Sequence, residues 1–342
     1  MTESFVFLSR YAGMREDLVQ AGGGNSSVKL NGKTMLVKAS GFQLSDLTTE
    51  TGYSTVDYKE IVNAFSTCEN IDSLTEDDSK QILAKTLLAG GRPSIETFLH
   101  AITKTFTLHT HPIVVNILTA CKDAKSVLLE LFPDSIYVPY ATPGIELAKT
   151  YFKALQGKKE APTQIIFLQN HGLVVSAANA EEVVEITESV VTKIEAYLNL
   201  TDAMLPYHRV TDIWKLFEDN IVWRVTDENV LSFYRKAGIW NHAFCPDCVV
   251  FLCKQMWTPN VLSIDELNEF KGKFGEPVIV NWKDNLYIVA ASVKKAMEIQ
   301  SVLSFSAQVM SQVKEENCNF LSDQEQNFLL HWDAEKYRQN IK

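Results

Sequence analysis

The chain has 342 residues, of which 46% are hydrophobic, 10% aromatic and 22% charged, a composition that excludes disordered and fibrous proteins. With 32 Lys and Arg against 42 Asp and Glu, the formal net charge is −10, which argues against a general attraction to nucleic acid or anionic lipid. The sequence contains neither a signal-peptide pattern nor an apolar run of the roughly 18 residues that a membrane helix needs, so we expect a cytoplasmic protein without a membrane partner.

Residues 1–204 are predicted to form one α/β domain, because strand-like and helix-like patterns alternate along them. Apolar strand patterns occupy 35–40, 106–111, 165–169 and 173–177. Helical patterns occupy 93–105, 113–122 and 180–199. In the last of these, an apolar residue recurs every three or four positions, at Val183, Ile186, Val190, Ile194 and Tyr197. Pro206 marks a boundary shortly after this helix.

Residues 205–342 are predicted to form a second, smaller α/β lobe, which contains all six tryptophans. Strands are expected at 249–253, 277–282 and 285–291, and helices at 264–272, 292–315 and 322–338. The last two strands predict a hairpin, because only the short polar pair Lys283 and Asp284 separates them. We expect the aromatic residues to fill the core of this lobe, and the sequence assigns it no catalytic residue.

Six cysteines are too few and too scattered for a disulfide framework, so reduced, mostly buried thiols are expected. Three of them follow His242 with the spacing of a partial metal site, at Cys245, Cys248 and Cys253. The C-x2-C pair is a ligand spacing, but a second pair is missing. Buried free thiols are therefore favoured over a structural zinc site.

Histidines form the sharpest local pattern. His109 and His111 alternate along a predicted strand, so both imidazoles point to one face and suit a single metal ion. His171 lies at a tight bend between two apolar strands, where Gly172 permits a positive φ, and could supply a third ligand. Three neutral imidazoles leave a fourth position on zinc open, as in catalytic sites. Hydrogen-bonded strand histidines are the alternative.

A carboxylate is needed if such a metal is to take part in proton chemistry. Pro93 and Ser94 are typical of a helix start, which places Glu96 in the first turn of the helix. An acidic residue in the first turn also stabilises the helix through its interaction with the helix dipole, and that role alone would explain the presence of Glu96.

Two small-residue turns could bind an anion through backbone amides and hydroxyl groups. The first is the sequence Ala-Gly-Gly-Gly-Asn-Ser-Ser-Val-Lys over 21–29, and the second spans 38–41. The first is not a P-loop, because no Gly-Lys-Ser/Thr follows. The neighbouring cations Lys29, Lys38 and Arg92 are expected near a bound phosphate, although each could be an ordinary surface charge.

Six motifs in order connect these patterns: GGGNSSVK (22–29), VKASG (37–41), RPSIETFLH (92–100), LHTHP (108–112), PYATPG (139–144) and QNHGLVV (169–175). Together they resemble the class II aldolase/adducin family over residues 5–200. The motif RPSIET and the extra C-terminal lobe are most similar to the aldolase half of bifunctional rhamnulose-1-phosphate aldolase/dehydrogenases. The chain ends where the dehydrogenase half would begin, so no nicotinamide chemistry is expected.

The resemblance implies a three-layer α/β/α fold around a mixed, largely antiparallel sheet. It also implies that His109, His111 and His171 bind zinc, or another divalent ion, and that Glu96 is the catalytic acid/base. The positions that match the phosphate site are Gly24, Asn25, Ser40, Gly41 and Ser94. Tyr140 matches a tyrosine that reaches the active site of a neighbouring subunit, so a homotetramer is expected. Ile95 departs from the pattern, because a second phosphate-binding serine would stand there.

The implied reaction is zinc-dependent cleavage of a ketose 1-phosphate, like rhamnulose or fuculose phosphate, into dihydroxyacetone phosphate and a short aldehyde. A sugar-phosphate epimerase of the family would be expected to have Asp in place of Glu96. A dehydratase of the family retains a Glu and stays open as an alternative. An adducin-like interaction module would lack the three histidines. The expected partner is a small sugar phosphate and not a nucleic acid.

Overall fold

The computed structural model describes residues 1–156, 163–200, 208–217, 220–237, 243–253 and 255–331. The chain divides into two compact units, residues 1–206 and 207–342.

An eight-stranded sheet forms the centre of the first unit, with strand order β4-β3-β2-β1-β5-β8-β7-β6. Its strands are β1 (Asn25–Lys29), β2 (Thr34–Lys38), β3 (Tyr53–Asp57), β4 (Leu87–Gly90), β5 (Phe106–Thr110), β6 (Ile136–Val138), β7 (Ile165–Leu168) and β8 (Gly172–Ala177). Every neighbouring pair is antiparallel except β6 and β7, which are parallel. The prediction of a mixed, largely antiparallel sheet is confirmed.

Eight helices accompany this sheet in the described part of the first unit. They are α1 (Thr2–Gly13), α2 (Tyr58–Ser66), α3 (Glu76–Thr86), α4 (Thr97–Ala101), α5 (Ile113–Thr119), α6 (Ala124–Leu131), α7 (Ile145–Gln156) and α8 (Ala180–Tyr197). Helices α1, α5 and α8 pack on one face of the sheet, and α2, α4 and α7 pack on the other. Successive residues of β1 face opposite helical layers. The Ser26 hydroxyl is hydrogen-bonded to Ser9 of α1, whereas the Ser27 hydroxyl is hydrogen-bonded to His100 of α4. The three-layer α/β/α fold is confirmed.

Helix α8 forms where the apolar periodicity predicts it. Asn179 caps its first turn by accepting a hydrogen bond from the Glu182 amide. Val183, Val190 and Ile194 are buried as expected. Tyr197 is 49% exposed, so its assignment to the apolar face was wrong.

Two other helices of the first unit are shorter than the sequence predicts. Pro93 forms a β-bridge with Ala39, so this segment is extended and cannot begin a helix. Helix α4 therefore starts only at Thr97, and the predicted helix over 93–105 is reduced to five residues. The predicted helix over 113–122 ends at Thr119, and a separate helix, α6, follows after a short turn.

The second unit contains a three-stranded antiparallel sheet of order β10-β11-β9. Its strands are β9 (Ile221–Arg224), β10 (Ile279–Trp282) and β11 (Asn285–Ala290). The described helices are α9 (His208–Trp214), α10 (Glu228–Ala237), α11 (Pro246–Leu252), α12 (Ile264–Phe274), α13 (Val293–Gln312) and α14 (Asp323–His331). Strands β10 and β11 form the predicted hairpin, and both turn residues, Lys283 and Asp284, have positive φ, as a type I′ turn requires.

The prediction of a strand over 249–253 was wrong, because this segment belongs to α11. Pro246 occupies the first turn, where the missing amide hydrogen costs nothing. Cys248, Val249 and Leu252 then fall on one face at helical spacing. Two of them, Cys248 and Leu252, join the buried core of the unit with residues of α13 such as Leu303. Within the described parts of the chain, no helix is both long and apolar enough to cross a bilayer.

Candidate active site

The topology of the first unit brings most of the predicted site residues to one edge of its sheet. Strand β1 begins at this edge with Asn25, and the antiparallel β5 ends there, because Asn25 lies opposite His109. The turn from β7 to β8 carries His171 to the same edge. The segment before α4 supplies Glu96 from the helical layer above it. Residues far apart in sequence thus converge.

The three imidazoles meet at their Nε2 atoms. The His109 Nε2 lies 3.1 Å from the His111 Nε2 and 3.3 Å from the His171 Nε2. The Nδ1 of His109 is 3.0 Å from the Leu173 carbonyl oxygen, which can only accept a hydrogen bond. We therefore assign the proton of His109 to Nδ1, which leaves the Nε2 lone pair directed at the other two rings.

This arrangement fits a divalent cation with imidazole ligands. Tetrahedral zinc with Zn–N bonds of about 2.0–2.1 Å separates its ligand nitrogens by about 3.3–3.4 Å. The two Nε2 separations of 3.1 and 3.3 Å are close to this value, and the three rings are the cluster of metal-ligating side chains found among the described residues. Burial lowers the pKa of each histidine to about 4, so all three are neutral near pH 7 and can donate a lone pair.

Glu96 lies against the same nitrogens. Its Oε1 atom is 3.4 Å from the His109 Nε2 and 3.5 Å from the His171 Nε2. Burial raises the pKa of Glu96, although the neighbouring His171, His111 and Lys38 lower it in part. Glu96 occupies the N-cap position of α4 and not its first turn, which corrects the predicted placement. Its side chain makes no capping hydrogen bond, so the position does not serve the helix in that way.

The bend that carries His171 differs from the prediction. Asn170, with φ of 53°, adopts the left-handed conformation that the sequence had assigned to Gly172. Glycine is needed at position 172 for a different reason, because a Cβ atom there would lie 2.2 Å from the Thr110 carbonyl oxygen. The missing side chain lets β8 approach β5 closely beside His111.

Sequence reasoning missed the residues that hold His111 in place. The His111 amide donates a 2.8 Å hydrogen bond to the Leu18 carbonyl. The preceding Asp17 binds Arg15 through two hydrogen bonds of 2.8 and 2.6 Å, and Arg15 is fully buried. A Cβ atom on Gly23 would lie 3.0 Å from the His111 Nδ1, so this glycine leaves room for the ring. The run of charged residues Arg15, Glu16 and Asp17 was the available signal in the sequence.

The predicted phosphate-binding residues lie at the start of β1, in the turn after β2 and in the segment before α4. Gly24 has φ of +72°, and a Cβ atom on it would lie 3.0 Å from the His109 carbonyl oxygen. Asn25 is buried, and its side chain accepts a hydrogen bond from the Ser26 amide. The Ser40 amide donates to the Arg92 carbonyl, which joins the second turn to the segment before α4. Gly41 is exposed with φ of +90°.

Ser94, the fifth residue of this set, accepts a 3.3 Å hydrogen bond from the Glu96 amide. Of the three cations, Lys29 lies at the far end of β1, where its ammonium group binds the Thr103 carbonyl. The expectation that Lys29 adjoins the phosphate site was therefore wrong. Lys38 is buried and donates to the Phe42 carbonyl, while Arg92 and Ile95 are exposed.

Tyr140 follows β6 at the same edge of the sheet. Its backbone amide donates a 3.1 Å hydrogen bond to the Gln169 side chain, two residues before His171. The tyrosine side chain is 61% exposed.

Comparison with known proteins identifies the family. The model of the Class II Aldolase and Adducin N-terminal domain matches residues 5–198. The uncharacterized oxidoreductase YuxG of Bacillus subtilis is 25% identical over 211 residues, which cover 58% of this chain but only 29% of that protein. The chain thus spans less than a third of that relative's length.

Two solved structures are also similar. The N-terminal class II aldolase domain of a conserved Thermoplasma acidophilum protein is 25% identical, with a TM-score of 0.50, over 57% of this chain and 92% of that one. A sugar-phosphate aldolase from Thermotoga maritima is 16% identical, with a TM-score of 0.43, over 58% and 93%. The family match includes every candidate site residue, and this chain therefore belongs to the class II aldolase and adducin family.

Proposed function

We propose that the protein is a zinc-dependent aldolase that cleaves a ketose 1-phosphate into dihydroxyacetone phosphate and a short aldehyde. The observation that carries the proposal is the meeting of three neutral imidazoles and one buried carboxylate: the Nε2 atom of His109 lies 3.1 to 3.4 Å from the Nε2 atoms of His111 and His171 and from the Oε1 atom of Glu96. When bound by His109, His111 and His171, zinc supplies a Lewis acid that stabilises negative charge on the sugar oxygens.

Glu96 is the group proposed to move the proton at carbon. Its raised pKa lets the carboxyl group hold a proton, which it donates to C3 of the sugar when the C3–C4 bond breaks. The same carboxylate takes that proton back in the condensation direction. Because only 12% of the Glu96 side chain is exposed, little water competes with the sugar for this proton.

Tyr140 is proposed to act in the active site of a neighbouring subunit of a homotetramer. Its exposed phenol is available to another chain, and there it would take the C4 hydroxyl proton as the aldehyde forms. The sugar phosphate would bind the amides and hydroxyls of Gly24, Asn25, Ser40, Gly41 and Ser94. A charge-assisted hydrogen bond contributes about 1.5–3 kcal/mol, so the set tolerates the hydroxyl that is missing at Ile95.

The test is release of dihydroxyacetone phosphate from rhamnulose 1-phosphate and from fuculose 1-phosphate, with the metal content measured on the same sample. We expect release by the zinc-loaded protein, loss of release after treatment with a chelator, and recovery when zinc is restored. A zinc-loaded protein that releases no dihydroxyacetone phosphate from either sugar would contradict the aldolase proposal. Conversion of the substrate to an epimer or a dehydrated product would identify the other family reactions.

A further inference from the structure

Two cysteines in the second unit form a pair that the proposed aldolase chemistry does not use. Cys245 is the N-cap residue of α11, and Cys248 lies three residues later in its first turn. Their Sγ atoms are 3.4 Å apart. A disulfide bond is about 2.05 Å long, so closing it requires a shift of roughly 1.4 Å shared between two side chains.

The two thiols have different surroundings. Cys248 is 5% exposed and belongs to the core of the unit, whereas Cys245 is only partly buried at the edge of that core. The expectation that the cysteines are mostly buried was wrong, because Cys248 alone of the six is buried. Burial raises the pKa of the Cys248 thiol to about 12, so this thiol is protonated in the reduced protein. A reagent from solution therefore reaches Cys245 first, and Cys248 is placed directly behind it.

A metal site is less well supported at this place. Among the described residues, the three histidines of the first unit are the group of three or more ligands able to share one ion. Cys253 donates its thiol hydrogen to the Gln255 carbonyl. His242, the other residue of the spacing noted in the sequence, lies outside the described residues. The geometry of Cys245 and Cys248 is thus that of a dithiol.

We propose that Cys245 and Cys248 are a thiol–disulfide exchange site whose co-reactant is a low-molecular-weight disulfide such as oxidised glutathione. The Cys245 thiolate attacks one sulfur of the glutathione disulfide, and one glutathione thiolate leaves. Cys248 then loses its proton to solvent, and its thiolate attacks the Cys245 sulfur and displaces the second glutathione. The two protein thiols are oxidised to one disulfide, and one glutathione disulfide is reduced to two glutathione molecules.

The disulfide between Cys245 and Cys248 would be easily reduced. It closes a loop of only four residues, so it restricts the unfolded chain little and adds little stability. Pro246 and Asp247 lie between the two cysteines without a strand or core segment to displace. Reduced glutathione in excess would therefore return the pair to thiols.

The experiment uses the full chain equilibrated with oxidised glutathione, followed by alkylation and peptide mapping. In the wild type we expect an internal Cys245–Cys248 disulfide, with loss of both sites to alkylation and full recovery in dithiothreitol. Cys248→Ser should accumulate glutathione on Cys245, because the resolving thiol is missing. Cys245→Ser should leave Cys248 reduced. Cys318→Ser is the matched control and should behave as the wild type.

Three results would overturn the proposal. The first is a wild-type pair that stays reduced in excess oxidised glutathione. The second is equal accumulation of glutathione on Cys245 in the wild type and in Cys248→Ser, since Cys248 would then resolve nothing. The third is zinc bound to the purified chain that both cysteine variants lose. Because the readout is the thiols of the second unit, each result is independent of aldolase activity.

Discussion

Glu96 lies in an environment that suits proton transfer. Its side chain contributes little to the stability of α4. Its carboxylate touches two histidine nitrogens and makes no capping bond to α4. The sequence indicated an acidic residue near a helix start, which has an ordinary explanation in the helix dipole. Only the family resemblance gave it a catalytic role, because a single sequence does not show which side chains a buried carboxylate will face.

Glu96→Gln should retain zinc and lose most turnover. The amide keeps the size of the side chain but cannot exchange a proton, and general acid–base catalysis contributes about 10²- to 10⁴-fold in rate. Steady-state kinetics and metal content on the same preparation measure both quantities. Glu130→Gln, at an exposed position on α6, is the control and should be unchanged. Near-normal turnover of Glu96→Gln would reject the acid/base role.

His100 should make the folded state sensitive to acid. It is fully buried, its Nδ1 is 2.8 Å from the Ser27 hydroxyl, and burial lowers its pKa from 6.5 to about 3. The unfolded chain therefore binds a proton below pH 6.5 that the folded chain does not bind until about pH 3. The contribution of His100 to the free energy of unfolding is therefore fully present above pH 6.5 and is lost as the pH drops towards 3. The loss is roughly 2 kcal/mol between pH 6.5 and 5.

Urea unfolding of the metal-free wild type and His100→Phe across pH 5 to 8 tests this prediction. The metal ligands titrate in both proteins, so the difference between the two isolates His100. We expect the free energy of unfolding to fall less steeply with acid in the variant. Parallel curves for the two proteins would show that His100 does not titrate as described.

At the scale of elements, short apolar runs were the least predictable part of the fold. The run Val249 to Cys253 suits a buried strand or a buried helix equally, and periodicity over so few residues does not distinguish them. The core contacts of α11 with α13 favour the helix. The hairpin of β10 and β11 was predictable, because two longer strands flank a two-residue polar turn. At Pro93 a helix start was predicted where the chain is extended, because a β-bridge to the distant Ala39 overrides the preference of proline for a helix start.

The β5–β8 pairing beside the histidines should depend on Gly172. A Cβ atom would lie 2.2 Å from the Thr110 carbonyl oxygen, so Gly172→Ala must separate the two strands where His111 and His171 approach each other. We expect a loss of about 1–3 kcal/mol in stability, as for other overpacked sites, together with weaker zinc binding. Thermal unfolding and a competitive zinc titration measure the two effects.

Gly32→Ala is the matched control for that substitution. No atom lies within 4 Å of a Cβ built on Gly32, so this variant should match the wild type in stability and zinc affinity. Equal stability and zinc affinity in Gly172→Ala would mean that the close approach of the strands is unimportant for the site.

At the scale of the molecule, the site exists because the strand order brings distant segments together. His109 and His171 are 62 positions apart, and β5 and β8 are neighbours although two strands intervene in sequence. Alternation along one strand predicted that His109 and His111 share a face, which is a local property. The strand order that adds His171 depends on long-range pairing. The bend in the sequence suggested His171 as a third ligand, but only the resemblance to a family joined it to His109 and His111.

The most direct test of the three-histidine site is a zinc titration of the metal-free chain against a competing chelator. We predict that the wild type binds one zinc per chain. His171→Ala should lose most of the bound metal while its circular dichroism is unchanged, and Cys245→Ser should retain full occupancy. Full zinc occupancy in a folded His171→Ala protein, or a wild type that binds no zinc, would contradict the assignment of these histidines as the metal site.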